Sequence, residues 1–318
     1  MSKKWKFYRP CGIIILNIFC RGRKIINETA IPNGVKITKA VVAVAGFGTR
    51  FLPVTKALPK EMLPVVDKPV VQYVVEELVA AGIQDIIFVT GGNKRAIEDH
   101  FDYHPELESW LEKKKKQKEL KIIRQIADLA TFSYVRQKGP YGNGTPVLNV
   151  EHLVGKEHFL YAFSDDLVLS KVPFAKQMVA AYEKNPGIYI GVQEVPREEV
   201  HKYGIVAPRP GKGNAIASIV EKPDPANTPS RLAVFGRYIL PPEIFAALRA
   251  VPLGKNGELW IADGLQYLIN KGAPAFYTQI KDGQWYTTGD PISYLRAIRA
   301  FTLARSDYRD EVKDIFSS

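Results

Sequence analysis

The chain has 318 residues, 46% hydrophobic and 24% charged, which excludes a low-complexity or disordered polypeptide and allows one large domain or two. Its formal net charge of +11 raises nucleic acid as a partner, but nine lysines and arginines against the single acid Glu28 fall within the first 39 residues. That stretch holds +8 of the charge and leaves only +3 for everything after it, so nucleic-acid binding has no support from the body of the chain.

Residues 1–35 read as a basic N-terminal extension and residues 36–318 as the folded body. The apolar run 12–20 is shorter than the about 20 residues that span a bilayer. Asn17 interrupts it, Arg21, Arg23 and Lys24 follow at once, and no small-x-small cleavage site is evident. A peripheral anchor, a disordered tail and an over-extended reading frame stay open for this segment. Both cysteines, Cys11 and Cys20, lie in it, so the body has no disulfide and no thiolate site, and a cytoplasmic location is expected.

Along the body, apolar strand-like runs alternate with helical patterns. "ITKAVVAVA" is followed by a helix in which Val71, Val74, Val75 and Leu78 fall at i, i+3, i+4 and i+7. Next come the strand "DIIFVT", helices over 93–101 and 105–120, the strand "FSYVRQ", a helix near 147–154 and the strand "HFLYAFSDD". The lysine run "KKKKQK" at 113–118, interspersed with glutamates, reads as a solvated helix face. Beyond residue 170, "GIYIGVQEV", "YGIVAPR", "AIASIVEKP" and "RLAVFGRYIL" read as strands, and helices are expected over 241–249, 258–271 and 291–304. This succession implies a doubly wound α/β fold, a mostly parallel but mixed sheet with helices on both faces. Ligands of such sheets sit at the carboxyl ends of the strands, so the loops after Ala45, Gln137 and Ser164 should converge.

The first of those loops carries the clearest chemistry. A strand ending in Gly46-Phe47-Gly48-Thr49 presents backbone N–H groups without Cβ obstruction, which suits a phosphate chain. Arg50 and Lys60 are the charged partners, and Pro53, Pro59 and Pro64 stiffen the path between them. The spacing is neither that of a Walker A loop nor that of the dinucleotide fingerprint.

"AGFGTRFLPVTKALPKEMLPVVDKP" resembles the signature of the sugar-1-phosphate nucleotidylyltransferases, and its Lys60-Glu61 pair is similar to the bacterial UTP:glucose-1-phosphate uridylyltransferases. The likeness continues through "YVRQK", "SDD", "KYGIV", "VEKP", "FGRYIL" and "TGD", from Lys39 to the C-terminal helix. It implies a nucleotide-diphospho-sugar transferase fold, with a nucleotide-binding part over about 36–170 and a sugar-binding part over about 171–318. It also implies magnesium as cofactor, UTP and glucose 1-phosphate as small-molecule partners, a homo-oligomer, and no membrane partner. Matched motif by motif, Ala45, Gly46, Gly48 and Arg50 would hold the triphosphate and Lys60 would meet it during displacement. Gln137 and Gly142 would read the base, Lys222, with Glu221 beside it in the substrate site, would hold the sugar phosphate, Gly204 and Glu258 would contact the hexose, and Asp165 would bind the metal.

Departures from the pattern bear on these roles. Thr287 of "WYTTGD" stands where the family carries an aspartate that acts as a second metal ligand, with Asp290 as the nearest substitute. "YGNGTPV" replaces a "LGLGHAV"-like segment, so Thr145 and Pro146 stand where His and Ala are common. Two other readings stay open: a sibling enzyme using dTTP or another sugar 1-phosphate, and a nucleotide-sugar-binding protein without catalysis. His100 and His104, four apart, could share a helix face, but no third ligand accompanies them and zinc is not expected.

Overall fold

Near-continuous apolar runs of this kind form strands only where both faces of a sheet are covered, because successive side chains point to opposite sides. The computed structural model describes residues 36–312 and Ile315, so the basic extension and its two cysteines lie outside the described residues. In chain order the strands are β1 (Lys39–Val44), β2 (Pro64–Val65), β3 (Lys68–Pro69), β4 (Asp85–Thr90), β5 (Thr131–Arg136), β6 (Phe159–Phe163) and β7 (Asp166–Ser170). They continue with β8 (Ile188–Glu194), β9 (Gly204–Pro208), β10 (Ile216–Glu221), β11 (Leu232–Leu240), β12 (Ala275–Gln279) and β13 (Gly283–Thr287).

Nine of these strands make one sheet. β6, β1, β4 and β5 lie parallel side by side. β11 pairs antiparallel with β6 through its C-terminal half, and with β8, beyond which β12 runs parallel to β8. The β9–β10 hairpin joins β11 at Ala233. Along β1, Ala40, Val42 and Val44 enter one core and Val41 the other, and β4 divides likewise between Ile86 and Phe88 on one side and Ile87 and Val89 on the other. Outside this sheet, β7 and β13 form an antiparallel ladder that sets Thr287 opposite Asp166.

The helix Val70–Ala80 buries Val71, Val74, Val75 and Leu78, the stripe expected from their spacing. The helix expected over 105–120 is instead two, Pro105–Lys113 and Gln117–Ala127, with Lys115 at a φ of +56° between them. Four consecutive like charges gain nothing from a continuous rod, and the break leaves residues 112–119 all exposed. The 147–154 segment is also two short helices, Thr145–Asn149 and Glu151–Val154, and the helix expected from 258 starts at Ile261. A helix over Phe174–Lys184, which packs Phe174, Met178 and Tyr182 into the core, was not legible in advance. Among the described residues no helix is long and apolar enough to cross a membrane.

Candidate active site

The loops leaving β1, β5 and β6 meet, as the sheet topology requires. Ala45, Gly46, Gln137, Tyr141, Gly142, Ser164 and Asp165 line one cavity of roughly 250 Å³, which Lys60 and Glu61 also border. A second cavity of roughly 250 Å³ adjoins it, lined by Arg50, Gly204, Glu221, Lys222 and Trp260 among others. Asn143, Phe163 and Asp165 belong to both walls. Gly48 and Glu258 stand outside both.

Gly48 supports the loop from behind. Its φ is +69°, and a Cβ there would lie 3.0 Å from Lys60 Cβ and 3.2 Å from Thr55 Cγ2. The loop carbonyls are tied into the protein: Thr55 Oγ1 donates to Gly48 O at 2.8 Å, and Lys94 Nζ donates to Gly46 O at 2.6 Å. Fixing the carbonyls in this way frees the amides to face a ligand. Lys94 also bonds Glu61 at 2.8 Å, both side chains fully buried. Burial pushes the Glu61 carboxyl up and the Lys94 ammonium down, each opposed by the attraction of the other. Sequence reading missed this pair, since 33 residues separate its members and no local pattern links them.

Lys60 crosses the first cavity to Asp165, with Nζ 2.5 Å from Oδ2. Burial alone would lower the ammonium, but Asp165 and Glu61 more than offset it and hold Lys60 above its usual range. Burial likewise would raise Asp165, and Lys60, followed by backbone donors and Arg50, holds it below the usual carboxylate range. Asp165 occupies the turn between β6 and β7, and its neighbour Asp166 points elsewhere, accepting from Gly236 N at 3.0 Å and Trp285 Nε1 at 2.6 Å. Burial, and then the Asp165 charge, push Asp166 up to about 6.

On the other side of Asp165, Arg50 Nη1 donates to Gly289 O at 3.3 Å and the Gly289 amide donates to Thr287 Oγ1 at 3.2 Å. A methyl group on Gly289 would stand 3.3 Å from Thr287 Oγ1, 3.4 Å from Arg50 Nη1 and 3.6 Å from Asp165 Oδ2, so these three groups share one corner. Asp290 is engaged differently: it caps the helix Pro291–Ala304 by accepting from Ser293 N at 3.0 Å. Lys222 has a φ of +47°, a conformation that costs a non-glycine residue about 1 kcal/mol. It is held there by its amide bond to Tyr203 O at 3.0 Å, and its Nζ sits 4.6 Å from the centre of the Trp260 ring and 3.4 Å from Glu221. Burial raises the Glu221 carboxyl against the pull of Lys222.

The loop after β5 is latched to the 259–261 segment. Leu259 N donates to Tyr141 O and Gly144 N to Leu259 O, both at 2.8 Å, and Ile261 N donates to Asn143 Oδ1 at 2.8 Å. Gly142, at a φ of +120°, makes the approach possible, since a Cβ there would fall 2.2 Å from Leu259 O. Thr145 closes the loop by donating to Pro140 O at 2.7 Å. His100 and His104 have structural partners: His100 Nε2 lies 3.0 Å from Gln72 Oε1, and His104 Nδ1 accepts from Leu107 N.

A glycine loop at the end of the first strand of a largely parallel sheet, facing a lysine–carboxylate pair and opening on a second cavity that carries Arg50, Lys222 and Glu221, defines a nucleotidyl transferase. The family model described as nucleotidyl transferase matches residues 39–303. A UTP–glucose-1-phosphate uridylyltransferase of Bacillus subtilis (strain 168) is 44% identical over 279 residues, 87% of this chain and 95% of that protein. UTP–glucose-1-phosphate uridylyltransferase 1 of Staphylococcus saprophyticus is 42% identical over 285 residues, 89% and 99% of the two chains. Among solved structures, a UDP-glucose pyrophosphorylase complexed with UDP-glucose is 41% identical with a TM-score of 0.75, over 85% of this chain and 100% of that one. A UTP-bound enzyme from Acinetobacter baumannii is 36% identical with a TM-score of 0.82, over 89% and 99%. This chain therefore belongs to the bacterial UTP–glucose-1-phosphate uridylyltransferases.

Proposed function

We infer that the chain transfers UMP from UTP to glucose 1-phosphate, giving UDP-glucose and pyrophosphate. The observation that carries this reading is the pair of adjoining cavities with Asp165 in both walls, one bordered by the glycine loop and Lys60, the other by Lys222 and Glu221. In the reaction an oxygen of the sugar phosphate attacks the α-phosphorus of UTP in line, that new P–O bond forms as the bond to the β-phosphate breaks, and pyrophosphate leaves. The nucleophile has a second pKa near ~6 and is ionised at neutral pH, so no general base is needed. What the protein must supply is alignment and screening of like charge.

We assign that work to Arg50, Lys60 and Lys222, with Ala45 and the amide of Gly46 holding the triphosphate and Gly48 shaping their loop from behind. Gln137 and Gly142 border the base, and Gly204 and Glu221 the hexose. Glu258 takes no direct part in this scheme. Lys222 meets the sugar phosphate from its place above Trp260. Lys60 exchanges Asp165 for the triphosphate once UTP enters.

A divalent magnesium ion fits Asp165. Oδ2 carries Lys60, and a hard ion with phosphate and water as its other ligands needs only one oxygen of this carboxylate. Among the described residues no three His, Cys, Asp or Glu side chains gather into an all-protein cage. When bound there, the ion would neutralise charge on the transferring phosphoryl group.

Pyrophosphate release measured with UTP, dTTP and other nucleotides against a panel of sugar 1-phosphates, with and without magnesium, tests the reading. Release confined to UTP with glucose 1-phosphate is expected, and Lys222→Ala or Asp165→Ala should cut it by at least a hundredfold, about 2.7 kcal/mol of transition-state stabilisation. Substrate binding without turnover in the wild-type protein, or wild-type rates in either variant, would overturn it.

A further inference from the structure

Arg237 is the largest fully buried side chain among the described residues. A guanidinium in that position is tolerable only when its donors are all engaged, and these are. Nε and Nη2 bond the two oxygens of Glu77 at 3.2 and 2.9 Å. Nη1 donates to Phe163 O at 3.1 Å and to Gly236 O at 2.8 Å, and Nη2 donates to Asp166 O at 2.9 Å. Glu77 is anchored in turn, since its Oε1 accepts from Ala175 N at 2.9 Å.

Phe163 and Asp166 are the residues on either side of the Ser164–Asp165 turn. One guanidinium therefore grips the carbonyls at both ends of the turn that carries Asp165. We propose that Arg237 and Glu77 are a positioning pair, which fixes the Asp165 turn and thereby the place where that carboxylate meets a divalent cation bound with UTP. A buried ion pair is a poor way to gain stability, because apolar side chains of similar volume often serve as well or better. A planar fork whose donors reach three carbonyls and a carboxylate at once is something neither apolar groups nor a lysine can supply. Groups that orient a metal ligand commonly change affinity or activity by about 10- to 100-fold when altered.

The proposal rests on the reading of Asp165 as the metal ligand, and the experiment separates the two. Full-length wild type, R237K, E77Q and D165N are compared by thermal melting, by initial rates against UTP and manganese, and by direct manganese binding in the presence of UTP, followed from the electron-paramagnetic signal of the free ion. For R237K we expect a cooperative melt, a kcat lower by about 10- to 100-fold, a half-saturating manganese concentration higher by about tenfold, and a UTP KM within about threefold of wild type. E77Q should move in the same direction by less. A folded R237K or E77Q with wild-type manganese binding overturns the proposal whether or not its rate falls, and so does the failure of both variants to fold, which would make the pair structural only. Manganese held by D165N at wild-type affinity overturns it too. If the wild-type protein releases no pyrophosphate from UTP, the functional reading fails by itself, and manganese binding across the four proteins still decides whether the pair governs Asp165.

Discussion

Phe47 and Tyr141 are 62% and 64% exposed, and they pack as a tilted pair, ring centroids 5.9 Å apart, on the wall of the cavity bordered by Gln137 and Gly142. Two large rings left in water beside a nucleotide cavity gain their burial from whatever enters it. A base covered by one ring face is stabilised by about 1 kcal/mol or more. Phe47→Ala and Tyr141→Ala should therefore each raise the KM for UTP about fivefold while the KM for glucose 1-phosphate holds. Initial-rate kinetics decide this, and unchanged UTP values in both variants would place the rings outside the nucleotide path. His158 gives a prediction of another kind. Its Nε2 is buried without a partner among the described residues, and burial lowers its pKa against the weak opposing pull of Glu243. The native value thus lies below the unfolded one near ~6.5, so between the two the unfolded chain binds a proton that the native chain does not, and stability falls as pH drops through that window. His158→Leu removes both the orphaned nitrogen and this acid sensitivity. It should stabilise the protein by about 1 kcal/mol at neutral pH and by more at pH 5.5. Thermal melts across that range would contradict this if the gap stayed constant.

At the scale of elements, the segments legible in advance are those whose signal is local. β4 spans the six residues of "DIIFVT" and the helix Pro291–Ala304 begins and ends where its proline and periodicity place it. β7 and β13 escaped because each finds its only partner among the described residues more than a hundred positions away, with no turn between them to announce the pairing. Distance along the chain also hid Arg237 from Glu77, 160 residues apart, and Lys94 from Glu61, 33 apart, whereas the glycine loop, Lys60 and Lys222 stood out through spaced motifs that read independently of one another. Asp290 shows how an element can claim a residue that chemistry also covets. Its carboxylate caps Pro291–Ala304, and bonds to Ser293 with the Ile292 amide outweigh burial to hold it below its usual range. Asp290→Ala should cost about 1 kcal/mol of stability, Asp290→Asn should restore most of it, and neither should move the magnesium concentration that half-activates the enzyme. A higher magnesium requirement in the well-capped Asn variant would show that the carboxylate serves the metal instead.

The whole molecule joins its two cavities through a latch rather than through the sheet alone. Tyr141, Asn143 and Gly144 hold Leu259 and Ile261 by three hydrogen bonds of 2.8 Å, and between those two residues stands Trp260, the ring beneath Lys222. Asn143 is the one side chain in the latch, and it satisfies the first amide of the helix Ile261–Asn270, a group that would otherwise lack an acceptor. Replacing it with leucine keeps the branched shape and removes the acceptor, at a cost of about 1 kcal/mol, which corresponds to about a fivefold change in an equilibrium. That cost falls on the placement of Trp260 and Lys222, so Asn143→Leu should raise the KM for glucose 1-phosphate by about three- to tenfold and leave the KM for UTP nearly unchanged, although residue 143 belongs to the loop beside the nucleotide. Measured KM values that rise for UTP alone would mean that the asparagine acts directly on the nucleotide and that the two cavities are built independently.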